Sequence, residues 1–146
     1  MVRNYKPRNS SNGDKMRAIE LTENKFYHGT SSCLLETIKE DGFSSPSYFV
    51  KDFDVASEYA AMGGEWDLQD REEKYEEKYG TPPREIFDVW EMYEKLYPVG
   101  CYPIVIEVLI PNNVMQFADA GGHGSEAISL NNCSGVKINS IHKVKW

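Results

Sequence analysis

Residues 26–30 place an imidazole, a glycine and a hydroxyl next to one another in the chain. His28 has two ring nitrogens and can therefore bond two partners at once. Gly29 has no side chain, so its backbone N–H and C=O can approach a ligand closely. Tyr48 and Tyr59 each offer an aromatic face on which a flat ring can stack. Together these residue types suit the binding of a flat, polar heterocycle.

A carboxylate that could act on such a ligand is Glu126, which begins a predicted strand after a glycine-rich stretch. A sheet can hold a side chain at that position while it faces a cleft. Cleavage of a glycosidic bond leaves positive charge on the sugar, and glycosidases stabilise this charge with a carboxylate. Glu107 competes for the role, but strand alternation predicts an ordinary exposed position for it. Each residue alone is more often structural, and only the combination indicates a site.

The order and spacing of these residues resemble the ADP-ribosyltransferase superfamily, in its poly(ADP-ribose) polymerase and diphtheria toxin-like His-Tyr-Glu branch. In that branch a His-Gly dipeptide is followed by Tyr-Phe on the next strand and by a second Tyr eleven positions further. A Glu near the C-terminus completes the set. The matching residues here are His28-Gly29-Thr30, Tyr48-Phe49, Tyr59 and Glu126.

The resemblance implies that NAD is the substrate and that His28, Tyr48 and Glu126 are catalytic. It implies that His28 and Gly29 hold the ribose and the nicotinamide amide, and that Tyr48 and Tyr59 sandwich the nicotinamide ring. Glu126 would bond the ribose 2′-hydroxyl and stabilise the cation. No metal is implied.

Two further cofactor-binding candidates are Thr30, beside Gly29, and Ser57. Polymerases often carry a nicotinamide-bonding serine three positions before the second tyrosine, where this chain has Ala56. We therefore expect this contact to be absent or supplied by Ser57.

The loop before Glu126 would present the target in this superfamily, and its Asp119 and His123 could accept a proton from the incoming nucleophile. A plain hinge loop with one solvated histidine is the alternative. Arginine-modifying relatives usually carry Glu two positions before the catalytic Glu, whereas this chain has Gly124. The resemblance therefore does not indicate an arginine target.

The function expected from the resemblance is mono-ADP-ribosyl transfer from NAD to a macromolecule, with release of nicotinamide. It is similar to that of bacterial or phage effectors and toxins. One alternative is an NAD-dependent RNA 2′-phosphotransferase, which needs basic side chains around a phosphate. Another is a catalytically inactive binding module that acts through its acidic helices.

Composition narrows the classes of partner. The chain has 146 residues and a net charge of −7, which weakens non-specific nucleic-acid binding and favours a protein acceptor. Its three cysteines form no CxxC pair, and their odd number argues against a disulfide framework. The histidines lack metal-ligand spacing. We see no apolar signal segment or bilayer-spanning run, and we expect a cytoplasmic protein, in the producing or host cell.

The patterning predicts an α+β fold with a flexible N-terminal arm, residues 1–17, and one catalytic domain, residues 18–146. The resemblance implies a split β-sheet core with flanking helices. Residues 63–100 look like a helical insertion, for which packing is the first expectation and a lid or docking surface the alternative. Helices are predicted at 31–40, 54–62, 66–79 and 84–97, and strands around 25–28, 47–50, 103–110, 114–117, 126–130, 136–138 and 141–145.

Overall fold

The computed structural model describes residues 23–63, 65–120 and 127–146, and their arrangement confirms an α+β fold. In these ranges six strands form one antiparallel sheet in the order β4-β5-β2-β1-β3-β6. The strands are β1 (Glu23–Ser31), β2 (Ser47–Val50), β3 (Pro103–Pro111), β4 (Asp119–Ala120), β5 (Ala127–Leu130) and β6 (Lys137–Lys143). The α-helices are α1 (Leu35–Asp41), α2 (Phe53–Met62), α3 (Glu65–Tyr79), α4 (Val89–Leu96) and the one-turn α5 (Asn112–Met115). None of the helices in the described ranges is long and apolar enough to cross a bilayer.

The sheet opens between its two central strands. β1 pairs with β3 along its whole length, from Glu23↔Pro111 to Ser31↔Pro103. On its other side β1 pairs with β2 only at Tyr27↔Val50. An antiparallel strand turns about half of its backbone polar groups toward each neighbour. The segment of β1 after Tyr27 therefore has backbone groups that face the opening instead of a strand.

Alternating side chains of β3 divide the core between the two faces of the sheet. Ile104 and Ile106 pack with Phe26 and Phe49 on the face that α1 covers. Val105 points to the opposite face and packs with the buried alanines of α2. Because both faces of the sheet are covered at β3, side chains on either face are buried. This is why the β-branched run is apolar at almost every position.

Helix α2 lies very close to β1 because small residues meet at the contact. Ala56 and Ala60 are fully buried and lie one turn apart on the same side of α2. Opposite them is Gly29, where an added Cβ would lie 2.0 Å from the Ala56 carbonyl oxygen. The first requirement for glycine here is therefore helix–strand packing. The sequence had indicated only a close approach to a ligand.

Two local predictions are wrong, and one open prediction is resolved. The predicted helix over 84–97 is interrupted, because a 3-10 turn at Pro83–Glu85 precedes Asp88, whose carboxylate caps α4 by accepting a hydrogen bond from the Glu91 N–H. The predicted strand over 114–117 is helical, with α5 starting directly after Pro111. The one or two short strands predicted at the C-terminus are the single strand β6, which pairs with β3 through an irregularity at Glu107/Val108.

The cysteines also differ from the prediction, because Cys33 and Cys101 form a disulfide and only Cys133 is free. The register of β1 and β3 supplies the reason. Their ladder ends at Ser31↔Pro103, and two more steps along each chain bring Cys33 opposite Cys101. This proximity depends on a pairing between residues far apart in sequence, so cysteine spacing does not reveal it.

Substitution of Gly29 by alanine should destabilise the fold by about 3 kcal/mol, because the methyl group would collide with the backbone of α2. Gly80→Ala is the matched control. Gly80 follows the end of α3 with φ +79°, but has open space around its Cβ position, so only a conformational cost of about 1–2 kcal/mol is expected. Denaturant unfolding of both variants measures the difference. Equal losses would contradict the tight contact between β1 and α2.

Candidate functional site

A cavity of about 490 Å³ lies where β1 and β2 diverge. It brings together five of the residues predicted from sequence to bind the ligand. Its lining residues are Tyr27, His28, Gly29, Thr30, Ser31, Leu34, Tyr48, Val50, Tyr59, Met62, Gly63, Asp67 and Ala127. Five consecutive residues of β1 take part, although neighbouring side chains on a strand point to opposite faces. The cavity therefore follows the open edge of β1.

His28 sits at the fork between the two strands. Its Nδ1 lies 2.8 Å from the Tyr48 carbonyl oxygen. A carbonyl can only accept, so Nδ1 carries the proton and the neutral ring presents Nε2 as an acceptor. The imidazole also packs against Phe43 and Phe49, with ring centroids 5.1 and 5.4 Å away. Burial lowers the pKa of His28, and the hydrogen bond to Tyr48 opposes that shift. The cavity thus contains a neutral, oriented imidazole near neutral pH.

The two tyrosines reach the cavity from different elements. Tyr48 is on β2 between the buried Ser47 and Phe49, and its side chain is 56% exposed. Tyr59 is on α2 and is partly buried against the core beneath that helix. A large aromatic residue that stays exposed beside a cavity is available to a ligand, since its burial contributes little to the fold.

The catalytic acid predicted from sequence, Glu126, lies outside the described residues, and so does His123. Ala127, which follows Glu126 in the chain, lines the cavity and pairs with Val50 on β2. The competing carboxylate, Glu107, is on β3 and does not line the cavity. Its side chain is only 14% exposed, accepts a hydrogen bond from Asn139 and lies 3.9 Å from His142, so it is not the ordinary exposed residue expected.

Two other predicted residues lie away from this cavity. The Ser57 hydroxyl donates to the Phe53 carbonyl oxygen at 2.9 Å, and Ser57 lines a separate depression beside His142. Asp119 is exposed on the two-residue strand β4 and pairs with Ser129. The structure therefore does not bring Ser57 or Asp119 together with His28.

Sequence reasoning missed the contribution of residues 63–100 to the cavity. Gly63 and Asp67 both line it. They are held by Arg71, which donates to the backbone carbonyls of Met62 at 2.8 Å, Asp67 at 3.1 Å and Leu96 at 2.6 Å. Burial lowers the pKa of Arg71, and the nearby Asp67 carboxylate is the strongest of the charges that oppose the shift. No short motif signals this arrangement, because it joins the C-terminal ends of two helices to a third helix.

No group of three or more His, Cys, Asp or Glu side chains within the described ranges could hold a metal ion. Comparison with known proteins gives no match to a family model, a curated protein or a solved structure.

The lowered pKa of His28 should make folding stability depend on pH. In the unfolded chain the pKa of His28 is about 6.5, and folding lowers it. The folded state therefore has its full stability above about pH 6.5 and loses part of it as pH falls toward the folded pKa, because the unfolded chain binds the proton first. His28→Asn keeps a donor for the Tyr48 carbonyl but does not titrate. Below about pH 6.5 we expect the free energy of unfolding to fall more steeply in the wild type than in this variant. NMR titration that found a raised His28 pKa would contradict the assignment.

Proposed function

We propose that the chain is an NAD-dependent mono-ADP-ribosyltransferase with an ADP-ribosyltransferase-like fold. The observation that carries the proposal is the convergence of His28, Gly29, Tyr48 and Tyr59 on one cavity. These residues were selected from the sequence as a nicotinamide site, and they come from β1, β2 and α2. If the sequence pattern were accidental, there would be no reason for its residues, which lie on three separate elements, to line the same cavity.

The nicotinamide ring fits between the tyrosine side chains of Tyr48 and Tyr59, where aromatic stacking adds about 0.5–1.5 kcal/mol beyond burial. Its carboxamide offers one acceptor and two donor hydrogens. The open edge of β1 after Tyr27 offers backbone groups of both kinds, because β2 does not pair with that part of the strand. Backbone recognition of this sort holds the amide in one orientation.

His28 then bonds the ribose next to the ring. Its Nδ1–H is committed to the Tyr48 carbonyl, so Nε2 accepts a hydrogen bond from a ribose hydroxyl. The low pKa keeps this acceptor available near neutral pH. Because the same hydrogen bond fixes the imidazole to β2, the histidine couples the position of the ribose to that of Tyr48.

In the reaction the bond between ribose C1′ and the pyridine nitrogen breaks, and its electron pair leaves with nicotinamide. Positive charge develops on the ribose, and the carboxylate of Glu126 stabilises it. A nucleophile of the acceptor forms the new bond to C1′ and passes its proton to a base, for which His123 is the candidate, because Asp119 lies away from the cavity. The acceptor is a macromolecule, a protein rather than a nucleic acid, and the setting is that of a bacterial or phage effector.

Two observations weigh against the alternative functions. An RNA 2′-phosphotransferase must neutralise a phosphate, yet no lysine or arginine is among the described residues that line the cavity. A binding module that works only through its acidic helices gives no reason for Tyr48 to stay exposed beside the same cavity as His28.

Substitution of Tyr48 by alanine should weaken NAD binding about two- to tenfold, which corresponds to the stacking energy of one aromatic ring. Tyr79→Ala is the matched control, since Tyr79 is 58% exposed on α3 and does not line the cavity. Titration calorimetry measures affinity, and NAD should raise the melting temperature of the wild type by mass action. If NAD neither binds nor stabilises the wild type, the proposed function is wrong.

Substitution of Glu126 by glutamine should reduce NAD cleavage by about a hundredfold or more while NAD still binds, because the lost charge acts on the transition state. Glu107→Gln makes the same chemical change outside the cavity and should retain activity. Release of labelled nicotinamide, together with transfer of labelled ADP-ribose to proteins of a cell lysate, measures both steps. Full activity of the Glu126 variant would remove this residue from the mechanism.

A further inference from the structure

Asp67 supplies the only carboxylate among the described residues that line the cavity. It lies near the start of α3, in the segment that the sequence indicated as packing. Arg71 fixes its backbone and that of Met62, so the residue is held at the wall. The same wall contains Tyr59 on the neighbouring helix α2. The inserted helices therefore contribute a negative charge beside the proposed ring-binding site.

Within the described part of the chain, little positive charge faces that carboxylate. The lining contains no described lysine or arginine, and His28 is neutral near neutral pH because burial lowers its pKa. Arg71 is close enough to compensate part of the charge. Its guanidinium, however, donates to three backbone carbonyls, and no salt bridge within 4.0 Å joins it to the Asp67 carboxylate. The Asp67 carboxylate lines the cavity and the Arg71 guanidinium does not, so an occupant of the cavity meets the carboxylate first.

Aromatic faces act in the same direction. The π-systems of Tyr48 and Tyr59 carry negative charge on their faces and attract cations placed over them. We propose that Asp67 is a counter-ion for a positively charged pyridinium ring, so that the cavity binds the pyridinium of NAD in preference to neutral nicotinamide. This assignment rests on the proposed function, because it takes the ring of NAD as the occupant. It adds a specificity-determining residue that the His-Tyr-Glu resemblance does not contain.

The charge preference has a direct consequence for turnover. The ring is cationic only while its nitrogen is bonded to ribose C1′. When that bond breaks, the electron pair stays on the nitrogen and the ring becomes neutral. The product then loses its attraction to Asp67 while the substrate keeps it, so free nicotinamide competes weakly with NAD.

The experiment compares two small ligands that differ in charge, N1-methylnicotinamide, a cation, and nicotinamide, which is neutral. Calorimetry measures both affinities for the wild type and for Asp67→Asn, Asp67→Glu and Asp70→Asn. Asp70 is the matched control, since it is exposed on the same helix and pairs with Lys74 at 3.0 Å. The wild type should prefer the cation about two- to fivefold, the range for a partly exposed ion pair. Asp67→Asn should reduce the preference to the smaller part that the two aromatic faces supply, whereas Asp67→Glu and Asp70→Asn should keep it in full.

The outcomes separate this inference from the proposed function. If both ligands bind the wild type equally while NAD still binds, the inference is wrong and the nicotinamide site remains. If the preference for the cation is unchanged in Asp67→Asn, another group carries the charge and the assignment to Asp67 is wrong. If neither ligand nor NAD binds the wild type, both proposals fail. Unfolding of each variant checks that the substitutions leave the fold intact.

Discussion

The parting of β1 and β2 after Tyr27↔Val50 is the feature on which the candidate site depends. Strands that continued to pair would cover the backbone of β1 and leave no space between them. The His28 imidazole occupies the fork and bonds the Tyr48 carbonyl, so a side chain joins the strands where backbone pairing ends. The sheet thereby stays connected while its centre opens to a ligand.

The cavity also depends on a connection between helices. Arg71 bonds carbonyls near the C-terminal ends of α2 and α4, and each such end leaves carbonyls without a helical partner. One planar group with five donors satisfies both ends and a carbonyl of its own helix. A lysine has a single charged nitrogen and lacks the planar, branched guanidinium, so it cannot make the same set of hydrogen bonds. The segment after α2 is therefore part of the wall, held by polar contacts that a hydrophobic pattern does not reveal.

The parts of the site that sequence predicts are those carried by short, local patterns. The His-Gly dipeptide, the Tyr-Phe pair and the tyrosine eleven positions later lie on elements whose periodicity is clear, and the structure brings them together. The α+β class follows from the same periodicity.

The sequence does not predict that Asp67 and Arg71 belong to the site, because their positions depend on how three helices meet. Ser57 was selected because it is next to Ala56, where polymerases often carry a serine. Its position on α2, however, places it beside β6 and away from the cavity. Asp88 starts α4 by capping it, and α5 begins directly after Pro111; hydrophobic patterns detect neither boundary.

The disulfide between Cys33 and Cys101 joins two parts of the chain that are far apart in sequence. It closes a ring that spans 68 positions and contains β2 and the helices α1 to α4. Both tyrosines and Asp67 belong to the ring, whereas His28 precedes it and Glu126 follows it. In the oxidised protein, a protease that cuts once within the exposed helices therefore releases no fragment. Closing a ring of this size also restricts the unfolded chain, by roughly 4 kcal/mol in a loop-entropy estimate. The nicked molecule keeps every component of the cavity on one covalent framework.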